Sequence, residues 1–409
     1  MKTNNDRKNF IWNMVGLTFN AFNSLFFLVA VRLFNGTDTA GTFSYAFSLC
    51  ALLYVVATFY TRTYQIANYN NTKNIQDFFT FRLLSSIFCF LIAVGFCLIN
   101  QFDFSKTLII LLILGFRIVE AISDCIYGYI QEHERLYNVG ISLFLKAVFG
   151  LIAFLITDAI TQDLSLAILS VIFINLLFLF FYDWKIFKKI SKNLSLKLRF
   201  SNLKLIFFES ISIFAFTFLL IYMANLQKYV LTYSASGEIQ MIFGILIMPS
   251  TMLSLAGNYL IMPFLTKLNR SIKNKHFEIF QKDARKILLA MLAIGVFITI
   301  IAYFAGIPVL SLIYQFDLSK YHLELIIVII ASIISAITIM LSNFLVLLGK
   351  NKMQLLFYFI ASAFATGISI TLIFSQGIFG AVLAYLISYI ILFIMYMSYY
   401  IISLKRLKR

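Results

Sequence analysis

The chain has 409 residues, 61% of them hydrophobic and only 12% charged, with a formal net charge of +16. A water-soluble globule could not hide that much apolar surface, whereas a lipid bilayer requires it. So few charged side chains leave room for twelve membrane spans of about 20 residues each and little else.

Twelve apolar stretches centre near Leu25, Ala51, Phe90, Leu114, Ala147, Phe173, Phe216, Met252, Gly295, Ile334, Ala363 and Ile391. Each is long enough to cross the hydrocarbon core as a helix rising about 1.5 Å per residue. Runs such as LIILLILGF and IILFIMYMSYYII do not alternate in polarity, which excludes the segments of a membrane β-barrel.

In chain order, the first helix carries a stripe of amides, Asn9, Asn13, Asn20 and Asn23, spaced around Gly16, and ends on Arg32. Amides can bond the backbone of a neighbouring helix or the hydroxyls of a sugar. Their density here favours cavity lining, with Asn20 and Asn23 as candidate substrate contacts. Arg62 follows the second helix. In the fourth, Arg117, Glu120 and Asp124 fall at i, i+3 and i+7 on one face, and the antiparallel fifth helix brings Lys146 to similar depth. Each cation there would cost about 2.5–3.5 kcal/mol to insert unpaired. The group reads either as a self-neutralising network within one lobe or as a working site. In the second reading Arg117 and Lys146 bind phosphate, and Glu120 and Asp124 take up a coupling proton or sodium ion.

The polar interval from Trp184 to Lys204 separates six spans from six, giving lobes 1–183 and 205–409 and a basic linker 184–204. Within it Ile186, Phe187, Ile190 and Leu194 recur at helical spacing among Lys185, Lys188, Lys189 and Lys192, the pattern of a helix lying on an anionic leaflet. In the seventh helix Lys228 precedes Gly237 by nine residues, as Arg32 precedes Gly41. The echo suggests a parallel repeat of the lobes, with both glycines opening the second helix of a lobe and matched cations closing the first. Neither cation has an acid within a helical turn, so Arg32 and Lys228 are the leading candidates for contact with an anionic headgroup. Pro249, in the eighth helix, removes a backbone hydrogen bond and is the candidate hinge. In the tenth helix Ser332, Ser335, Thr338 and Ser342 form a second polar stripe, of the kind that packs helices together.

Seven Lys and Arg lie between Lys185 and Lys204 and seven between Lys267 and Lys286, while Arg62, Lys73 and Arg82 are assigned to the connection after the second helix. The alternate connections carry acids instead: Asp38, Asp103, Asp158, Asp163, Glu238 and Asp317. By the positive-inside rule both termini are cytoplasmic. The first apolar stretch reads as a full span rather than a removable signal peptide. Cys50, Cys89, Cys97 and Cys125 lie scattered in apolar helices, where cysteine serves as a small buried filler. No metal-ligand spacing, nucleotide-binding loop or nucleophile elbow is present, so no metal, cofactor or nucleic-acid partner is expected.

The segment from Asn9 to Gln65, with its Asn-rich first helix, Ser24-Leu25 pair, Arg32–Gly36–Gly41 turn and Arg62 before Tyr64-Gln65, resembles the opening of Wzx-type lipid-linked oligosaccharide flippases. These belong to the multidrug/oligosaccharidyl-lipid/polysaccharide (MOP) flippase superfamily. NLQKYVLTYSASGEIQM, from Asn225 to Met241, resembles the superfamily's turn between helices 7 and 8, with Gln227 where an acid usually precedes the basic residue. The resemblance implies an all-α integral membrane protein of the MATE type, its twelve helices in two six-helix lobes around a central cationic cavity. It implies movement of undecaprenyl-diphosphate-linked oligosaccharide from the inner to the outer leaflet of the bacterial plasma membrane, driven by an ion gradient or membrane potential. The partners it implies are membrane lipids and the glycosyltransferases and polymerase of the same polysaccharide pathway. The alternatives are a MATE-like multidrug/cation antiporter, which would favour acids in each lobe, and a membrane polysaccharide polymerase, which typically needs a sizeable catalytic loop.

Overall fold

A computed structural model describes residues 2–67, 75–190, 198–350 and 352–407. Among them every regular element is helical. The first six spans are α1 (Lys2–Asn35), α2 (Thr37–Thr58), α3 (Ile75–Ile99), α4 (Phe104–Glu132), α5 (Leu136–Thr161) and α6. α6 runs from Leu164–Phe178 through a π-helical turn, Leu179–Asp183, into Trp184–Ile190. The second six begin with α7 (Phe200–Leu231) and α8, which is broken between Gly237–Leu246 and Met248–Lys273. They continue with α9, which passes from Phe277–Ile301 through a second π-helical turn to Ile307–Tyr314, and α10 (His322–Leu347). The last regular stretch, Lys352–Leu407, contains two helices, α11 (352–376) and α12 (378–407), divided at Gly377.

Among the described residues, ten helices are long and apolar enough to cross a membrane by length and composition alone. The expected twelve are reached because α4 is charged and because Lys352–Leu407 doubles back. At Gly377 the backbone takes φ 60° and ψ −129°, and a Cβ on Gly380 would lie 2.0 Å from the carbonyl oxygen of Leu372. In a straight helix those residues would be about 12 Å apart. Phe357 then meets Tyr396 with ring centroids 5.3 Å apart, as an antiparallel hairpin requires. A Cβ at position 377 is strained whatever space surrounds it, so Gly377→Ala is expected to cost about 1–3 kcal/mol, read as a lower unfolding temperature.

Broad apolar faces point outward. On α3, Leu84, Ile87, Phe88 and Leu91 are all exposed, an arrangement compatible with lipid and not with water. All four cysteines are buried and free. Cys50 and Cys89 donate their thiols to the carbonyls of Ile110 and Leu53, linking α2 to α4 and α3 to α2.

The chain divides into two compact units, 1–221 and 222–409, with the division inside α7. In the first, α1 and α5 pack so closely that a Cβ on Gly16 would lie 2.3 Å from the Gly140 carbonyl oxygen. α7 as far as Ile221 also belongs to this unit: Phe214 stacks on Phe59 at 4.3 Å, and Ile206 is buried with Tyr64, Phe78 and Cys125. In the second unit the stripe on α10 packs helices together. Ser332 bonds Ser250 of α8, and the Ser342 hydroxyl donates to Oε1 of Gln354 in α11 at 2.6 Å.

The linker segment Trp184–Ile190 differs from the helix expected on the leaflet surface. It continues α6, and its apolar side turns inward: Phe187 is buried among Val119, Ile126, Tyr127, Ile130 and Val139, with Lys185, Lys188 and Lys189 exposed. Protein contacts from α4 and α5 bury Phe187 more completely than an interface would. Lys192 and Leu194 lie outside the described residues.

Candidate functional site

α4 carries Arg117, Glu120 and Asp124 within its span, and this charged face turns into the first unit. The fixed i, i+3, i+7 spacing of Arg117, Glu120 and Asp124 sets that face. Around it, Asn20 of α1, Tyr54 of α2, Arg62, Ser123 and Tyr127 of α4 and Lys146 of α5 line a cavity of about 170 Å³. Arg62 arrives from the short helix Thr61–Ala67, set off from α2 by Phe59 and Tyr60, both with positive φ.

Three ionic arrangements meet here. Arg117 Nη1 holds Glu120 at 2.6 Å, and its guanidinium stands 4.5 Å from the ring centre of Phe47, favourable for a cation over a π face. Asp124 is shared: Arg62 binds one oxygen at 2.9 Å and Arg82 the other at 3.2 Å. Arg62 also donates to Oε1 of Gln131 at 2.7 Å. Lys146 pairs with Asp183 at 2.5 Å, both almost completely buried.

The Lys146 arrangement is a closed ring. The ammonium donates to Ser123 Oγ at 2.7 Å, to Tyr127 OH at 3.1 Å and to Asp183, using all three of its protons. Ser142 donates to the other oxygen of Asp183 at 2.6 Å. Its single proton is thereby committed, so in the 2.8 Å contact between Tyr127 and Ser142 the phenol is the donor. Asp183 reaches the ring from the π-helical turn of α6, a local widening of the kind common at functional sites.

Sequence spacing brought Arg117, Glu120, Asp124 and Lys146 together, and the structure places all four on one cavity with Arg62 and Asn20. It also adds two charged residues. Arg82, assigned from the sequence to a connection, lies eight residues into α3 (Ile75–Ile99) and is fully buried. Its signal was an apolar run on its C-terminal side, RLLSSIFCFLIAVGF. Asp183 is the last residue of the lobe 1–183, where nothing in its spacing links it to Lys146. It is the single acid between Leu164 and Ile190, and a lone acid in an apolar span is itself a signal. The network expected to hold two cations and two acids therefore holds Arg62, Arg82, Arg117 and Lys146 against Glu120, Asp124 and Asp183. Taken as ionised pairs, it carries one surplus positive charge.

The amide stripe of α1 is split. Asn20 lines the cavity, whereas Asn9 bonds the backbone of Glu134 and Tyr137, and Asn23 donates to the Ala147 carbonyl at 3.2 Å. Arg32 lies in the last turn of α1, about 18 Å along the helix from Asn20. Lys228 lies in the last turn of α7, and both cations are half-buried. The glycine echo is not equivalent in the fold: Gly237 opens α8, but Gly41 lies inside α2, which begins at Thr37. The one-residue connection at Gly36, with φ 89°, places the start of α2 early. Pro249 is the second residue of Met248–Lys273, immediately after the break in α8.

No known family's sequence profile matches the chain. It is 26% identical over 414 aligned positions to the capsular polysaccharide biosynthesis protein CapF of Staphylococcus aureus, covering 96% of this chain and 98% of that one. Among solved structures it is similar to an inward-facing multidrug resistance MATE family transporter of the MOP superfamily, with a TM-score of 0.64 at 10% identity over 100% of this chain and 96% of that one. The Vibrio cholerae MATE transporter VcmN in its bent form is also similar, with a TM-score of 0.63 at 14% identity over 99% and 98%. The resemblance read from the opening residues thus extends over the whole chain as the MATE fold.

Proposed function

We propose, from the MATE-type fold of the MOP superfamily that this chain adopts, that it flips undecaprenyl-diphosphate-linked oligosaccharide repeat units from the inner to the outer leaflet of the bacterial plasma membrane. The observation that carries this reading is the cavity in the first unit, lined by Arg62, Arg117 and Lys146, where cations outnumber carboxylates. A diphosphate with sugars attached cannot enter hydrocarbon unaided, since unpaired charges and hydroxyls there cost several kcal/mol each. A positively biased polar route lowers that barrier while the prenyl tail stays in lipid. The chain-length similarity to a capsular polysaccharide biosynthesis protein supports a cargo from surface polysaccharide assembly. Glycosyltransferases then act before this step and a polymerase after it.

In this reading Arg62 and Arg117 contact the diphosphate and Asn20 the sugar. Lys146, its donors spent on the ring, and Asn23, bonded to α5, shape the cavity wall. Arg32 and Lys228 receive the headgroup at the outer interface, and Glu120 and Asp124 are the carboxylates through which an ion gradient acts. Lobes 1–183 and 205–409, joined by the basic linker 184–204, alternate access with flexure at Pro249, and both termini face the cytoplasm. The competing reading, a multidrug/cation antiporter, has the fold in its favour but must bring a cation to a site with surplus positive charge, which opposes binding.

Deleting the gene tests the function: lipid-linked repeat units should accumulate on the inner leaflet, and unpolymerised units on the outer leaflet would instead assign the polymerase step. Arg32→Gln and Lys228→Gln are each expected to lower surface polysaccharide with folded protein unchanged. Normal export by both variants removes these residues from the site.

A further inference from the structure

The charge count of the buried network around the cavity resolves into three neutral pairs and one remaining cation. Lys146 and Asp183 are closed in their ring, Arg117 is held by Glu120, and Arg82 with Asp124 forms the third pair. The remaining cation is Arg62, which binds the same carboxylate from the cavity side and borrows Gln131 as a second acceptor. The two arginines on Asp124 differ in access. Arg82 is fully buried, while Arg62 is 25% exposed and lines the cavity.

We propose that Arg62 is a parked guanidinium: Asp124 and Gln131 hold it while the cavity is empty, and it transfers to the diphosphate when the lipid arrives. The inference rests on the flippase reading above and deepens it by giving Asp124, a coupling carboxylate in that reading, and Gln131 the further role of positioning Arg62. Three features make the transfer physically workable. When Arg62 leaves, Asp124 keeps Arg82 and no buried charge is stranded, which would otherwise be the dominant cost. The base of the moving side chain is fixed, because neighbouring Thr61 accepts a hydrogen bond from Arg82 Nη2 at 3.1 Å. The short helix carrying Arg62 is held at an angle set by two consecutive bulky residues, Phe59 and Tyr60, at φ 45° and 50°. This unfavourable geometry is the kind that proteins keep where a side chain must be aimed. The same parking supplies a release step, since the carboxylate and the diphosphate compete for one guanidinium and the returning carboxylate displaces the cargo.

The test is binding of farnesyl diphosphate, a short prenyl diphosphate, to the full-length protein in detergent. Arg62→Gln is expected to weaken binding about tenfold or more, the loss of one charge-assisted contact. Asp124→Asn and Gln131→Leu, which loosen the parking, are expected to tighten it about fivefold while slowing release. Gln131→Leu leaves the Arg82–Asp124 pair intact, so it reports even where Asp124→Asn fails to fold. The gain must vanish when Gln131→Leu is combined with Arg62→Gln. A Gln131→Leu protein that folds but binds no tighter, or a gain that survives without Arg62, overturns the parking. If neither wild type nor any variant binds farnesyl diphosphate, the diphosphate-lipid reading itself falls and the parking with it.

Discussion

Replacing Lys146 by methionine is expected to destabilise the first unit by about 3–5 kcal/mol, because it leaves a buried carboxylate without its cation. Asp183 is 1% exposed and would keep only the hydroxyl of Ser142, while Ser123 and Tyr127 each lose the ammonium donor. The double variant Lys146→Met/Asp183→Leu is expected to recover most of that loss, since replacing both members of a buried pair with apolar groups removes the desolvation cost together with the attraction. Thermal unfolding in detergent, followed by size-exclusion chromatography, separates the cases. If the double variant is no more stable than the Lys146→Met single, the two residues do not act as a pair. If Lys146→Met is as stable as wild type, the ring contributes nothing to the fold.

Neutralising Arg62 is expected to do the reverse, sparing the fold and removing the activity. Arg62→Gln should lower translocation of lipid-linked repeat units by about 10- to 100-fold, the range for losing one charge-assisted hydrogen bond of about 1.5–3 kcal/mol. Folded protein should be retained, because Asp124 keeps Arg82 at 3.2 Å and the residual pair is neutral. Arg82→Gln is the contrasting variant. Its guanidinium is fully buried and bonds both Thr61 and Asp124, so its loss is expected to appear first as reduced folded protein. Surface polysaccharide measured against membrane-inserted protein distinguishes the two. Normal export by a well-folded Arg62→Gln protein would exclude Arg62 as a cargo contact.

The contrast between these arginines shows how far linear sequence could reach. Arg117, Glu120, Asp124 and Lys146 were found together because three lie on one helix face and the fourth on an adjacent antiparallel helix, relations set by helical periodicity. Their partners were not. Asp124 pairs with Arg62 and Arg82 rather than with Arg117, and Lys146 pairs with an acid on α6. Side chains on different helices meet according to helix rotation and crossing, which depend on close contacts such as that between Gly16 and Gly140. Arg82 reads as part of a connection because nothing in the linear sequence marks Ile75 as the start of α3. Asn20 and Asn23 were equivalent in the stripe, yet one lines the cavity and the other bonds the Ala147 carbonyl.

Composition and hydropathy by themselves determined that the chain is a helical membrane protein of twelve spans. The bilayer imposes those features locally: each span must be long, apolar and internally hydrogen-bonded whatever its neighbours do. The motifs of the first 65 residues pointed to the superfamily. Only the tertiary structure decided which carboxylate faces which cation, that Arg82 and Asp183 belong to the buried network, and that Arg62 and Arg82 share Asp124. Those outcomes depend on a few ångströms of separation between helices distant in sequence, and Coulomb and hydrogen-bond energies in a low-dielectric interior change by several kcal/mol over that range.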